Sequence, residues 1–155
     1  MKKSFGLYIH WPFCLSKCPY CDFNSHVREN VDQGRWQKAL LCELENAAKT
    51  YESGAGVLGS IFFGGGTPSL MEPETVGVLI EKAKALFPSS ETLEVTLEAN
   101  PSTVEASRFK AFSEAGVGRL SLGIQSLEDK VLSFLGRRHS AKEALQALEI
   151  SATYF

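Results

Sequence analysis

Strand-like and helix-like stretches alternate from one end of the chain to the other, and this order restricts the fold more than any other feature of the sequence. The strand-like runs are Leu7–Trp11, Gly59–Gly64, Leu93–Ala99 and Arg119–Gln125. Helical patterns separate them. The first spans about Asp32–Glu52, with Trp36, Leu40, Leu44 and Ala47 at helical spacing. The second opens at Pro73, suited to a first helical turn, and continues through Val76, Leu79, Ile80, Ala83 and Leu86. The third starts with the capping-box pattern Ser102-Thr103-Val104-Glu105 and buries Phe109 and Phe112. A fourth runs from about Ser126 to Leu135, and Ser140 caps a last helix that ends near Ala152. Strands joined by helical crossovers lie parallel in one sheet, so the expected class is α/β. No low-complexity linker divides the 155 residues, which read as one domain.

The strands also carry a polar face. Leu93, Val95, Leu97 and Ala99 alternate with Glu94, Thr96, Glu98 and Asn100, and Leu120, Leu122 and Ile124 alternate with Arg119, Ser121, Gly123 and Gln125. Parallel strands packed between two helix layers are apolar on both faces. One polar face fits a curved, barrel-like sheet with helices outside and a functional lumen within; the bland alternative is a solvated face. In barrels of parallel strands the chemistry gathers at the C-terminal strand ends. Those ends here are His10 with the loop after it, Gly64–Gly66, Glu98–Asn100 and Gln125.

The loop after His10 contains CLSKCPYC, which places Cys14, Cys18 and Cys21, three of the protein's four cysteines, within eight residues. Disulfides between such near neighbours would be strained and would leave an odd thiol. Tyr8, His10, Trp11 and Pro12 interrupt the apolar N-terminal run, so it does not read as a signal peptide, and nowhere do eighteen apolar residues run together. The expected location is the cytosol, where thiols stay reduced. A net charge of −2 gives no general attraction to nucleic acid or an anionic membrane. A metal site is the better reading of the triplet. Structural zinc needs four ligands, which His10 or His26 could complete. Cys42 could be a fourth thiolate, but beside Leu41 and Leu44 in a helical pattern a packing role is expected. An iron–sulfur cube held by three thiolates leaves one iron open for a small molecule.

GGGTPS at residues 64–69 follows a strand and precedes a Pro-started helix. Its glycines allow close approach of a ligand, and unpaired peptide groups there could meet an ammonium or carboxylate. The phosphate-loop lysine is missing.

Cys14-x3-Cys18-x2-Cys21, with Tyr20 before the last cysteine, resembles the signature of the radical S-adenosylmethionine (SAM) superfamily. The resemblance implies a 4Fe–4S cluster on Cys14, Cys18 and Cys21, with SAM chelating the open iron and cleaved by an electron from the reduced cluster. It also implies a partial (β/α)6 TIM-like barrel with about four strand–helix units present. Residues 1–155 then form the N-terminal part of a barrel domain, and the rest of the barrel and a C-terminal region are absent. Such a piece is expected to bind cofactor poorly by itself. Over YIHWPFCLSKCPYCDFNS, FFGGGTPSLM, TLEANPS and RLSLGIQSLEDKVLSFLGRRH the chain is similar to the oxygen-independent coproporphyrinogen III oxidase-like family, particularly its heme-chaperone (HemW) branch.

Carried over by position, the resemblance makes Tyr8, Tyr20, Gly65, Gly66, Thr67, Glu98, Gln125 and Arg137 contacts of SAM. Glu98 suits ribose hydroxyls, Gln125 offers a donor and an acceptor, and Arg137 can clamp a carboxylate. Each has a plainer alternative: Glu98 could pair with Arg119, Gln125 could cap the next helix, and Arg137 could neutralise a helix C-terminus. His10 could donate a proton or serve the strand end; His26 and His139 receive no role. In the oxidases a further cysteine follows the third after one residue, whereas Phe23 stands there in this chain. The resemblance therefore implies a heme chaperone that carries heme to acceptors such as respiratory enzymes. The alternatives are coproporphyrinogen III oxidation and a zinc-stabilised α/β protein.

Overall fold

The computed structural model describes residues 3–51 and 56–155. The elements run β1 (Ser4–Trp11), β2 (Phe13–Cys14), β3 (His26–Val27), α1 (Gln33–Lys49), β4 (Val57–Gly65), a 3-10 turn (Pro68–Leu70), α2 (Pro73–Leu86), β5 (Ser89–Ala99), α3 (Thr103–Ala106), α4 (Phe109–Glu114), β6 (Arg119–Leu122), α5 (Asp129–Phe134) and α6 (Ala141–Tyr154). Strands β1, β4, β5 and β6 form one sheet in that order, every pair parallel, and β2 and β3 form a short parallel pair beside it. The class is α/β, as the alternation requires.

One sheet face carries the core. Trp11, Leu58, Ile61, Phe63 and Leu97 are fully buried against Val76, Leu79 and Ile80 of α2, and Phe112 of α4 joins the same cluster. Leu58 and Ile61 are three apart, a spacing that alternation alone would put on opposite faces. The β4–β5 register shifts between Leu58 and Ser60, and that irregularity turns both side chains inward. Thr96, on the other face, is also buried, and its hydroxyl is satisfied there by Arg119 Nε, which donates to it at 2.9 Å.

Helix ends follow their caps. Asp32 accepts from Arg35 N at 2.9 Å and starts α1. Glu52, the expected end of that helix, lies outside the described residues; α1 ends at Lys49. Ser140 and Glu143 form a complete capping box on α6. Ser102 performs only half of its box. Its hydroxyl accepts from Glu105 N, but the Glu105 carboxylate turns to Ser69 and Asn100 instead, and the helix breaks into the short α3 and α4.

Three strands start earlier than expected, at Ser4, Val57 and Ser89, and two boundaries near the rim move as well. The last strand stops at Leu122 and not at Gln125, because Ile124 and Ser126 each donate to a carbonyl two residues back and Gln125 takes φ 69°. A chain turning that tightly leaves the sheet. Helix α5 accordingly begins at Asp129 and not Ser126. Cys42 is exposed on α1, so it does not pack in the core as its neighbours Leu41 and Leu44 suggested.

Candidate functional site

All four strands of the parallel sheet end at one edge, and the cysteine loop starts there. Trp11 and Phe13 pack edge-on at 5.3 Å, and Phe13 meets Trp36 of α1 at 4.9 Å. These rings pin the backbone just before Cys14. Pro12 O then accepts from His26 N at 2.7 Å and Cys14 O from Arg28 N at 3.1 Å, closing the loop between β2 and β3. Inside it, Cys21 N donates to Cys18 O at 3.0 Å, a tight turn that keeps those two cysteines adjacent.

The glycine-rich loop lies directly against this strand. Gly66 N donates to Trp11 O at 2.7 Å and Thr67 N to Phe13 O at 2.8 Å. A Cβ on Gly66 would sit 2.5 Å from Phe13 O. Gly65 has φ +118°, and a Cβ there would lie 2.6 Å from the His10 ring. Gly65 N donates to Glu98 Oε2 at 3.2 Å. The N–H groups of Gly65, Gly66 and Thr67 are thus all committed within the protein. Of the expected unpaired peptide groups, the N–H side is taken at these three residues, and their main chain offers a ligand carbonyl oxygens, which suit an ammonium and not a carboxylate.

A cleft of about 350 Å³ opens between the two loops and the ends of β5 and β6. Cys18, Cys21, Tyr20, Gly65, Gly66, Thr67, Glu98, Gln125 and Arg137 all line it. Those positions span most of the chain, and the sheet brings them to one rim. Cys14 and Tyr8 stand just outside the lining: Cys14 is buried in β2, and Tyr8 projects from β1, 57% exposed. His10 Nε2 lies 3.0 Å from the Asn24 carbonyl, which can only accept. That partner puts the imidazole proton on Nε2, leaving Nδ1 to accept from the Tyr8 hydroxyl at 3.1 Å. His10 therefore orients Tyr8. Partial burial and then the Glu98 charge push the Tyr8 phenol up, so it remains a donor at neutral pH. Burial and the adjacent Cys18 thiol likewise raise Tyr20, against the opposing pull of Arg137.

The plainer pairings are not made. Arg119 Nε binds Glu94 at 3.1 Å and Thr96, leaving Glu98 to Gly65. The N-terminus of α5 has no side-chain cap, so Gln125 does not serve one. Arg137 neither sits on a helix carbonyl nor grips a carboxylate. Its Nη2 donates to Asn100 Oδ1 at 2.8 Å and to Gly123 O, and its Nη1 points to Cys18 Sγ at 3.5 Å. Sequence reasoning placed Asn100 at the rim without giving it a role, and it missed Glu105. Asn100 reads as the end of a polar alternation, and Glu105 reads as a helix cap.

Three free thiols on one loop are the donor type that an iron–sulfur cluster takes. Among the described residues, no three cysteine, histidine or acidic side chains converge on a point that a single metal ion could occupy. A cube takes its thiolates at separate corners. All four cysteines are free thiols.

Comparison with known proteins gives a consistent result. The family model for the radical SAM superfamily matches residues 8–154. The mitochondrial radical S-adenosyl methionine domain-containing protein 1 of Bos taurus is 46% identical over 143 residues, 92% of this chain and 32% of that protein. Heme chaperone HemW of Escherichia coli is 44% identical over 148 residues, 95% of this chain and 39% of that protein. The solved structure of coproporphyrinogen III oxidase (HemN) from Escherichia coli superposes with a TM-score of 0.83 at 22% identity, covering 98% of this chain and 35% of that one. The chain thus spans between about a third and two fifths of the curated relatives' length.

Proposed function

The chain belongs to the radical SAM superfamily, in the heme-chaperone branch of its coproporphyrinogen III oxidase-like family, and from that premise we propose that it serves a heme chaperone that binds a 4Fe–4S cluster and SAM and passes heme to acceptor proteins. The observation that carries this reading is the single cleft lined by Cys18, Cys21, the glycine-rich loop, Glu98, Gln125 and Arg137.

In this reading Cys14, Cys18 and Cys21 hold the cluster, and the cluster with SAM supplies one-electron reductive chemistry when bound. The protein's own groups do the positioning. Carbonyls of the glycine-rich loop accept from the SAM ammonium. Glu98 keeps one carboxylate oxygen on Gly65 N–H and offers the other to ribose hydroxyls. Gln125, held in a left-handed turn, presents an amide to the cleft. Tyr8, its hydroxyl hydrogen given to His10, offers its phenol oxygen as an acceptor at the rim, and the half-exposed Tyr20 packs on the adenine. Phe23, also in the cleft lining, stands where the oxidases have a further cysteine; this favours heme handling over propionate oxidation. No helix among the described residues is long and apolar enough to cross a membrane. A cytosolic setting keeps such thiols reduced.

The test is anaerobic reconstitution of the full-length protein, followed by two assays. Heme transfer to an apo-acceptor, read by absorption, is the expected result. Conversion of coproporphyrinogen III to protoporphyrinogen IX would overturn the chaperone assignment in favour of the oxidase.

A further inference from the structure

One buried carboxylate ties together the parts of the cleft that are farthest apart in sequence. Glu105 is 5% exposed. It accepts from the Ser69 hydroxyl, from Asn100 N at 2.8 Å and from Asn100 Nδ2 at 3.3 Å. Asn100 Nδ2 also donates to Thr67 Oγ1 at 3.3 Å. Both amide hydrogens are then spent, so the side chain cannot flip, and Oδ1 must face Arg137 Nη2. That bond aims the other end of the guanidinium at Cys18 Sγ. Arg137 Nε is buried without a partner. Its pose is therefore fixed by Asn100, Gly123 and Cys18, not by satisfying all its donors.

Cys18, Thr67, Asn100 and Arg137 also line a second cavity of about 340 Å³, on the side of Glu105 and Arg108. These four residues are the wall between that cavity and the cleft. We propose that Glu105 and Asn100 are positioning residues for the cysteine loop. Through their bonds they hold Arg137 so that its guanidinium donates to the Cys18 sulfur, and this donation raises the reduction potential of the cluster held there. The inference rests on the cluster reading above. An N–H donor facing a thiolate ligand favours the more negative, reduced cluster, so its loss makes reduction harder.

The experiment is EPR-monitored redox titration of the reconstituted full-length protein, with iron and sulfide measured on every sample. Glu105→Gln, Asn100→Ser and Arg137→Gln are each expected to load iron and to shift the oxidised-to-reduced ratio about tenfold toward oxidised at fixed potential, about 59 mV for a one-electron couple. Combining Glu105→Gln with Arg137→Gln is expected to add nothing beyond Arg137→Gln alone, because both act through one bond. Unchanged potentials in iron-loaded variants, or an additive double variant, would overturn the proposal and leave the network a purely structural one. If Glu105→Gln fails to fold, Asn100→Ser paired with Arg137→Gln carries the same expectation. Wild-type protein that forms no cubane would refute the cluster reading itself, a result distinct from a loaded cluster whose potential ignores these residues.

Discussion

Replacing Gly66 with alanine tests how the cysteine loop is held. Gly66 has no positive φ, so its glycine is required by contact alone: a Cβ would meet Phe13 O at 2.5 Å, Phe13 C at 2.7 Å and Phe13 N at 2.9 Å. All three atoms are backbone and cannot swing aside. Ordinary contact begins at 3.4 Å, so one strand must give way by about 0.9 Å, the gap between the first distance and that limit. Such a shift stretches the Gly66 N–Trp11 O and Thr67 N–Phe13 O bonds, now 2.7 and 2.8 Å. Each is worth about 0.5–1.5 kcal/mol net. Overpacking in a site that cannot relax costs about 1–3 kcal/mol more. Allowing for partial relief, Gly66→Ala is expected to destabilise by about 3 kcal/mol, or about 6–12 °C in Tm for a domain of this size. Because Phe13 precedes Cys14, iron retention should fall with stability. Gly118→Ala is the control: nothing lies within 4 Å of its Cβ, and a change within about 0.5 kcal/mol is expected. Urea and thermal denaturation of both variants, with iron analysis after reconstitution, decide the matter. Gly66→Ala as stable as Gly118→Ala would refute the contact reasoning.

Three further outcomes are expected. Gln125→Gly should stabilise the fold by up to about 1 kcal/mol, since only glycine adopts φ 69° without penalty, while SAM affinity measured by equilibrium dialysis drops. A variant that loses stability would show that the left-handed turn is not strained. His139 is buried with Nε2 3.1 Å from Ile124 O, and burial holds its pKa below the ordinary 6.5. The unfolded chain then binds the proton first, so His139 contributes stability above pH 6.5 that is lost as pH falls through the lower folded value. His139→Gln should flatten that stretch of the stability profile in denaturation midpoints measured from pH 7.5 to 5.5. Alanine at Cys14, Cys18 or Cys21 should abolish iron and sulfide uptake, whereas Cys42→Ala, changed on an exposed helix face, should leave both intact. Iron loss on Cys42→Ala would return that thiol to the ligand set.

The alternation of elements, the caps at Asp32 and Ser140, Pro73 in the first turn of α2 and the cysteine spacing follow from local rules of the chain, and they determined the class and most helix starts without any tertiary contact. Period-two alternation likewise put Glu98 on the polar face. Where residues far apart in sequence compete for one partner, local rules fail. Glu105 has the right spacing to complete a cap with Ser102, but Ser69, delivered by the loop after β4, and Asn100 are better donors once the sheet forms. Arg119, set opposite Thr96 by the β5–β6 register, binds Thr96 and Glu94, while Glu98 bonds to Gly65 N–H. The glycine-rich loop lost its free amides to Trp11 and Phe13, a consequence of how closely two strands approach that no spacing of glycines encodes. Sequence decided which residues reach the rim; only the packed sheet decided which atoms of those residues remain free to meet a ligand, since each hydrogen bond made inside the protein removes one from the cleft.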